Sequence, residues 1–160
     1  LPDANLSRVV LLGAGGAGAA VANALLQSGA GRLDIADTDR DRAERLSARL
    51  CEIYGAGRAM ASDIAAPDAA SADGIVNTTP MGMSAQPGCA IDPELIETHH
   101  WVADIVYFPL ETALLRAAHA KGCRTLDGSG MVIGQAAKAF EIFTGRTAHH
   151  ARMRESFSAD

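Results

Sequence analysis

The sequence of 160 residues is poor in several residue types, and each scarcity excludes a class of protein. Aromatic residues make up only 4% of the chain, too few for a surface on which nucleic-acid bases stack. The net charge of −5 also argues against a polyanionic partner, so we expect no nucleic-acid binding. No apolar run reaches the roughly 18 residues that a membrane-spanning helix requires, so no membrane segment is predicted.

Cysteine is scarce too, and the side chains that bind metals are badly spaced for doing so. Cys51, Cys89 and Cys123 are odd in number and lack the spacing of a metal site, which favours free thiols in a reducing cytoplasm. The histidine pairs 99–100 and 149–150 are interpreted as surface residues, because adjacent positions do not share one face of a helix. We therefore predict no metal site.

Apolar runs and amphipathic segments alternate along the chain, and this alternation predicts the fold. Short apolar runs lie near 8–13, 32–37, 57–61, 74–77, 101–106 and 124–126, and helical patterns lie near 17–28, 40–54, 112–121 and 131–144. The order predicts an α/β, Rossmann-type, doubly wound domain over 1–160, with about six mostly parallel strands, helices on both faces and a helical tail over about 146–160. Ligands of such sheets bind beyond the carboxyl ends of the strands.

A glycine-rich turn follows the first apolar run and is the most specific motif of the chain. Gly13, Gly15 and Gly18 have dinucleotide-binding spacing: the first permits a tight turn, the second lets the backbone approach a pyrophosphate, and the third lets the helix pack closely. The pyrophosphate would then lie at a helix N-terminus, where free N–H groups favour an anion. The predicted cofactor-binding segment comprises Gly13, Ala14, Gly15, Gly16, Ala17 and Gly18.

Asp37 ends the second apolar run, 19 residues after Gly18, close to the position of a ribose-binding acid. A carboxylate accepts hydrogen bonds from the ribose of NAD but repels the 2′-phosphate of NADP, by roughly 4 kcal/mol at about 4 Å and an effective dielectric of about 20. We therefore predict NAD, with NADP less favoured. Asp39 is interpreted as the N-cap of the next helix, and Arg42 is close enough to reach adenosine. A methyltransferase, with a similar first turn and acid, is an alternative.

No catalytic acid/base is evident in the sequence. Hydride transfer to or from a hydroxyl needs such a group near the reacting carbon. The two lysines, Lys121 and Lys138, are predicted at a helix end and within a helix, and no Tyr-x-x-x-Lys pair occurs. The cofactor half of a dehydrogenase is thus visible without its proton-transfer half.

Three further segments follow predicted strands: NTTPMGM at 77–83, DIVYFPLET at 104–112 and DGSGM at 127–131. By its chemistry alone, the first of these is equally a turn beneath a ribose or nicotinamide and an ordinary strand-end turn. Tyr107 is equally a core tyrosine, and Gln135 alone would be taken for a solvent-facing residue. The residues themselves therefore leave these segments open.

Taken together and in this order, the four segments resemble the C-terminal nucleotide-binding domain of the shikimate/quinate dehydrogenase family over nearly the whole chain. The resemblance implies NAD(P)-dependent oxidation of a ring hydroxyl of shikimate or quinate, or the reverse reduction of the 3-dehydro compound. An acid at the position of Asp37 is typical of NAD-using members. The resemblance implies that the cofactor contacts Asp37, Thr38, Arg42, Thr78, Thr79, Pro80, Val106, Gly130 and Met131, and that the substrate contacts Tyr107 and Gln135.

The family's N-terminal domain, which holds most substrate contacts and a lysine–aspartate acid/base pair, has no counterpart in this sequence. The chain begins without methionine and almost directly on its first strand, so we expect that a preceding segment has been removed. No secretion signal is recognised at its start. The resemblance then implies cofactor binding without turnover, and a tail that is loose or binds another copy as a homodimer. A stand-alone NAD-sensing module is the alternative from another class.

Overall fold

The computed structural model describes residues 1, 3–64 and 67–157. Six short strands within these ranges pair side by side into one sheet. The strands are β1 (Arg8–Leu12), β2 (Arg32–Ala36), β3 (Ala59–Ser62), β4 (Gly74–Asn77), β5 (Trp101–Asp104) and β6 (Arg124–Leu126). Their spatial order is β3-β2-β1-β4-β5-β6, and every pairing is parallel. β2 and β3 lie on one side of β1 and the last three strands on the other, so the strand order reverses between β1 and β4. Ligands of such sheets bind at this point of reversal. The predicted Rossmann-type fold is confirmed.

Five α-helices of the described residues connect or follow the strands. They are α1 (Gly16–Gln27), α2 (Arg40–Tyr54), α3 (Ala113–Ala120), α4 (Ser129–Thr144) and α5 (His150–Phe157), with a 3₁₀ turn at Pro93–Leu95. The predicted cap is confirmed: the Asp39 carboxylate accepts a hydrogen bond from Arg42 N at 3.1 Å. Of the helices in the described part of the chain, none is long and apolar enough to cross a membrane.

The central strand β1 is buried on both faces, because its alternate residues belong to two different cores. Val9 and Leu11 pack in the core beneath α1 and α2. Val10 and Leu12 pack in the opposite core, which includes α3. The carboxyl end of β1, where the glycine-rich turn begins, is therefore held rigidly from both sides.

The turn after β1 is tight because α1 packs directly against it. Gly13 has φ +100°, a backbone conformation that residues with a side chain rarely adopt. A Cβ on Gly18 would lie 2.1 Å from the carbonyl oxygen of Gly13. The third glycine of the motif is thus required by the packing of the protein itself.

The interpretation of His100 as a surface residue is wrong, because the side chain is buried. Its Nδ1 accepts a hydrogen bond from Glu97 N at 2.9 Å, and its Nε2 donates to the carbonyl oxygen of Ala69 at 2.9 Å. The imidazole therefore fastens the irregular β3–β4 connection to the segment before β5. His99 is exposed, as predicted. The argument from adjacent positions on a helix does not apply to this pair, because both histidines lie in a loop.

Gly18→Ala is expected to destabilise the domain by about 1–3 kcal/mol, because the new methyl group overlaps backbone that cannot move aside. Gly16→Ala is the matched control: a Cβ there meets no atom within 4 Å, and alanine favours a helix more than glycine does. Urea unfolding of both variants measures the difference. Equal stability of the two variants would contradict the packing argument.

The buried His100 is expected to lower the free energy of unfolding at acidic pH. Burial lowers the pKa of His100 below its ordinary 6.5, the His99 ring adds to this, and the Ala69 hydrogen bond and the charges of Glu97 and Asp73 only partly oppose it. The unfolded chain therefore binds more protons, so this stabilisation is complete above about pH 6.5 and is lost as pH falls through the lowered folded-state pKa.

The measurement is the free energy of unfolding of the wild type and His100→Asn at about pH 7.5 and about pH 5. The stability difference between them should shrink at the lower pH. His150→Asn, at an exposed position, is the control and should show no such change. A wild-type advantage that is constant with pH would contradict the assignment.

Candidate functional site

The glycine-rich turn leaves the N-terminus of α1 open at the carboxyl edge of the sheet. Gly15 is the N-cap of α1, and no side chain caps the helix there. A Cβ on Gly15 or Gly16 would meet no atom within 4 Å, so the protein's own packing does not require glycine at these two positions. The open N–H groups favour an anion, and the missing side chains leave room for it.

Asp37 ties the end of β2 to this turn. One carboxylate oxygen accepts a hydrogen bond from Ala14 N at 2.7 Å, and the other accepts one from Asp39 N at 2.8 Å. The guanidinium of Arg42 lies 3.6 Å from the second oxygen. A carboxylate oxygen has two acceptor sites, so the first oxygen can also accept a hydrogen bond from a ligand hydroxyl.

The Asp37 carboxylate is held in its charged form. Burial alone would raise the pKa of Asp37, but the hydrogen bonds from Ala14 and Asp39 and the charge of Arg42 outweigh it. The pKa of Asp37 therefore lies below the ordinary carboxyl value. This edge of the site presents a fixed negative charge at neutral pH.

Two neighbouring cavities open at the carboxyl ends of the strands, and Thr78, Thr79 and Pro80 line both. The first has a volume of about 390 Å³ and contains Gly13, Gly15, Asp37, Thr38, Arg42, Ile64, Thr78, Thr79, Pro80, Met81, Gln86 and Ala90. The second has a volume of about 270 Å³ and contains Thr78, Thr79, Pro80, Met83, Ile105, Val106, Tyr107 and Met131. Most of the candidate residues from the sequence are thus brought together.

Some candidate residues lie apart from these cavities. Gln135 and Gly130 are exposed on α4 and do not belong to the described lining of either cavity. Tyr107 is 46% exposed at the second cavity, so it is not a core residue. Thr78 is buried, and its hydroxyl contacts the carbonyl oxygens of Leu12 and Gly13 at 2.8 and 3.0 Å. That side chain is committed to holding the glycine-rich turn.

Sequence reasoning missed a buried polar connection beneath both cavities. Asn77 Nδ2 donates to Asp104 Oδ1 at 2.9 Å and to the carbonyl oxygen of Met81 at 3.0 Å. Asn77 Oδ1 accepts hydrogen bonds from the backbone N and the hydroxyl of Thr79. The amide therefore shapes the turn that the two cavities share.

Asp104 does the same for the neighbouring turn. Its Oδ1 accepts a hydrogen bond from Val106 N at 3.0 Å, and its Oδ2 accepts one from the Thr112 hydroxyl at 2.7 Å. Burial raises the pKa of Asp104, although these two donors and Asn77 all favour the carboxylate. The usable signal in the sequence was that Asn77 and Asp104 each end an apolar strand. In the structure these two residues are partners in the register of β4 and β5.

No set of three or more His, Cys, Asp or Glu side chains in the described ranges is placed to hold a metal ion. The two cavities present instead backbone N–H groups, threonine hydroxyls, one carboxylate, one guanidinium and one phenol. These groups suit a ligand with an anionic centre and a diol.

Comparison with known proteins gives matches at the level of families. Residues 3–50 match the ThiF family, and residues 128–156 match the family described as the Shikimate 5'-dehydrogenase C-terminal domain. The first match covers β1, α1, β2 and part of α2, and the second covers all of α4 and most of α5.

Individual relatives match almost the whole chain. A shikimate dehydrogenase (NADP(+)) of Arthrobacter sp. (strain FB24) is 52% identical over 98% of this chain and 54% of its own length. A quinate/shikimate dehydrogenase (NAD(+)) of Corynebacterium glutamicum (strain R) is 48% identical over 98% of this chain and 56% of its own. The chain thus spans about half the length of these curated relatives.

The fold agrees with the sequence comparison. The structure of a quinate dehydrogenase from Corynebacterium glutamicum in complex with NAD superposes with a TM-score of 0.89 at 46% identity, over 99% of this chain and 57% of that one. Sequence and fold agree: over nearly its whole length the chain is similar to about half the length of shikimate and quinate dehydrogenases, and its last two helices match the model of their C-terminal domain.

Proposed function

We propose that this chain is the NAD-binding domain of a dehydrogenase that transfers a hydride between NAD and a ring hydroxyl of shikimate or quinate. The observation that carries the proposal is the open glycine-rich turn fastened to the Asp37 carboxylate, at the edge where the sheet reverses its order. The solved quinate dehydrogenase with NAD supports it.

In this proposal the dinucleotide extends across both cavities. The open N–H groups at Gly15 and Gly16 would hold the pyrophosphate, and the free acceptor site of Asp37 would bind the adenosine ribose. Thr38 and Arg42 flank that ribose. Thr79, Pro80, Val106 and Met131, with Gly130 nearby on α4, would form the nicotinamide end, as the resemblance implies. Bound NAD would supply the hydride acceptor there.

Asp37 also favours NAD over NADP. Relatives of comparable identity are named for one cofactor or the other, so overall similarity does not decide the choice. A 2′-phosphate would lie against a carboxylate that is ionised and only 7% exposed. The local charge therefore selects the unphosphorylated ribose.

The proton-transfer groups of the reaction come from outside this chain. In the described lining of the second cavity, Tyr107 is the one side chain with an ionisable group. Tyr107 touches the substrate in this proposal, and Gln135 does so from α4. The relatives are nearly twice as long, and their additional half would supply the acid/base pair and most substrate contacts.

The exposed apolar face of α4 supports packing against that additional half. Phe140 and Phe143, three positions apart and so on one face of the helix, are 38% and 86% exposed. Packing of α4 and α5 against a second copy, as a homodimer, is the competing arrangement.

The three free cysteines of the described region fit a reducing compartment, so we place the protein in the cytoplasm.

Gly15→Ala tests the site without disturbing the fold. The methyl group meets no protein atom within 4 Å but projects where the pyrophosphate would approach, so NAD affinity should fall by about tenfold or more while stability is retained. Gly134→Ala, equally unobstructed but on α4, is the matched control. Isothermal titration calorimetry with NAD measures both.

NAD binding that is equal in the two variants would contradict the proposed pyrophosphate position. Titration of the wild type with S-adenosylmethionine belongs to the same experiment. Tight binding of that compound and none of NAD would favour the methyltransferase alternative.

Mixed with NAD and excess shikimate or quinate, the 160-residue chain is expected to bind NAD but produce no NADH. Absorbance of NADH measures the reaction, and circular dichroism verifies that the protein is folded. The chain expressed together with any in-frame upstream coding segment should turn over. Turnover by the 160 residues alone would place the acid/base here and make Tyr107 the first residue to substitute. Absence of an upstream segment would favour the NAD-sensing module.

A further inference from the structure

One buried carboxylate holds both ends of the connection from β5 to α3. Asp104 Oδ1 accepts a hydrogen bond from Val106 N near the start of this connection, and Asp104 Oδ2 accepts one from the Thr112 hydroxyl at its end. Thr112 is also the N-cap of α3, so its position is fixed by the helix. Between these two points lies Tyr107, which lines the second cavity together with Val106. A single side chain therefore determines where this wall of the cavity lies.

The same carboxylate is joined to the turn after β4, which forms the opposite wall. Asn77 Nδ2 donates to Asp104 Oδ1, and Asn77 Oδ1 accepts hydrogen bonds from the backbone N and the hydroxyl of Thr79. The two turns are also in direct contact, because a Cβ on Gly82 would lie 3.2 Å from Thr112 Cβ. A displacement of Asp104 is therefore transmitted to both walls.

The turn that leads into α4 supports the β5–α3 connection from a third side. A Cβ on Gly128 would lie 2.5 Å from the carbonyl oxygen of Val106 and 2.6 Å from that of Ile105. Backbone packed this closely cannot recede in that direction. The hydrogen bond to Asp104 therefore sets how far Val106 projects towards the cavity.

We propose that Asp104 is a positioning residue for the nicotinamide end of the dinucleotide, acting through the two turns that it joins and not through contact with the ligand. Asp104 is only 2% exposed, so a molecule in the cavity does not touch it. A charged acceptor holds its donors more strongly than a neutral one, and supporting hydrogen bonds of this kind keep the residues that contact a ligand in place. The inference rests on the proposed function, in which the second cavity takes the nicotinamide.

Asp104→Asn tests this role, because it keeps the size of the side chain and removes the charged acceptor. Its amide oxygen still accepts from Val106 N, though more weakly, and its new NH₂ group meets the Thr112 hydroxyl where an acceptor stood. By calorimetry, NAD affinity should fall about tenfold, whereas the affinity for ADP-ribose, which lacks the nicotinamide ring, should stay within about twofold of the wild type.

Asp73→Asn is the matched control. The Asp73 carboxylate also accepts hydrogen bonds from a backbone N–H, that of Arg8, and from a side-chain amide, that of Asn5. It directly precedes β4 and so lies at the opposite end of the strand from the cavities. Its affinities for NAD and ADP-ribose should stay within about twofold of the wild type.

NADH separates a displaced wall from a lost charge. A displaced wall should weaken NAD and NADH alike, whereas loss of a nearby negative charge should weaken only NAD, whose nicotinamide is positively charged. Circular dichroism verifies that each variant is folded. If Asp104→Asn does not fold, Thr112→Val removes the donor to Asp104 Oδ2 and should show the same selective loss, and Thr112→Ser, which keeps the hydroxyl, should restore binding.

Four results overturn the role of Asp104 alone: unchanged NAD affinity in the folded variant, a loss shared by ADP-ribose, a loss absent from NADH, or an equal loss in Asp73→Asn. Equal affinity of the wild type for NAD and ADP-ribose also overturns it, because the nicotinamide end then contributes nothing to binding. Wild-type protein that binds none of the three compounds overturns the proposed function as well.

Discussion

The close contact between Gly18 and the carbonyl oxygen of Gly13 is the constraint on which the rest of the site depends. Because α1 begins directly over the end of β1, its first N–H groups open onto the crevice rather than being covered by a longer connection. Asp37 and Thr78 then fasten the same turn from the two strands that flank β1. A short backbone contact thus determines where an anion can lie, and the neighbouring side chains keep it there.

The sequence predicted most of the fold because the signals are local. The bounds of α2, β4 and β6 agree with the prediction, since helical periodicity and short apolar runs are read from consecutive residues. The predicted β5 was two residues too long because the Asp104 side chain binds Val106 N, which turns the chain away from the sheet. The burial of His100 was missed because it depends on contact with Ala69, 31 positions earlier.

The same distinction holds at the site. The glycine-rich turn and Asp37 belong to one continuous β-α-β unit, so their spacing alone indicated them. The link from Asn77 to Asp104 joins two strands that are neighbours only once the sheet is assembled. A carboxylate buried at that depth needs every donor it has, since leaving it unpaired would be strongly destabilising. The two turns beneath the cavities are therefore one mechanical unit, although they are separate motifs in the sequence.

The contrast between Gly15 and Gly18 has a consequence for how such a domain can change over generations. A side chain at Gly18 collides with the protein, whereas one at Gly15 enters open space. Selection for folding therefore acts on one glycine and selection for a ligand acts on the other. In a lineage that kept the fold but abandoned the ligand, the second glycine of the motif would drift while the third stayed fixed, and the sequence alone would record that history.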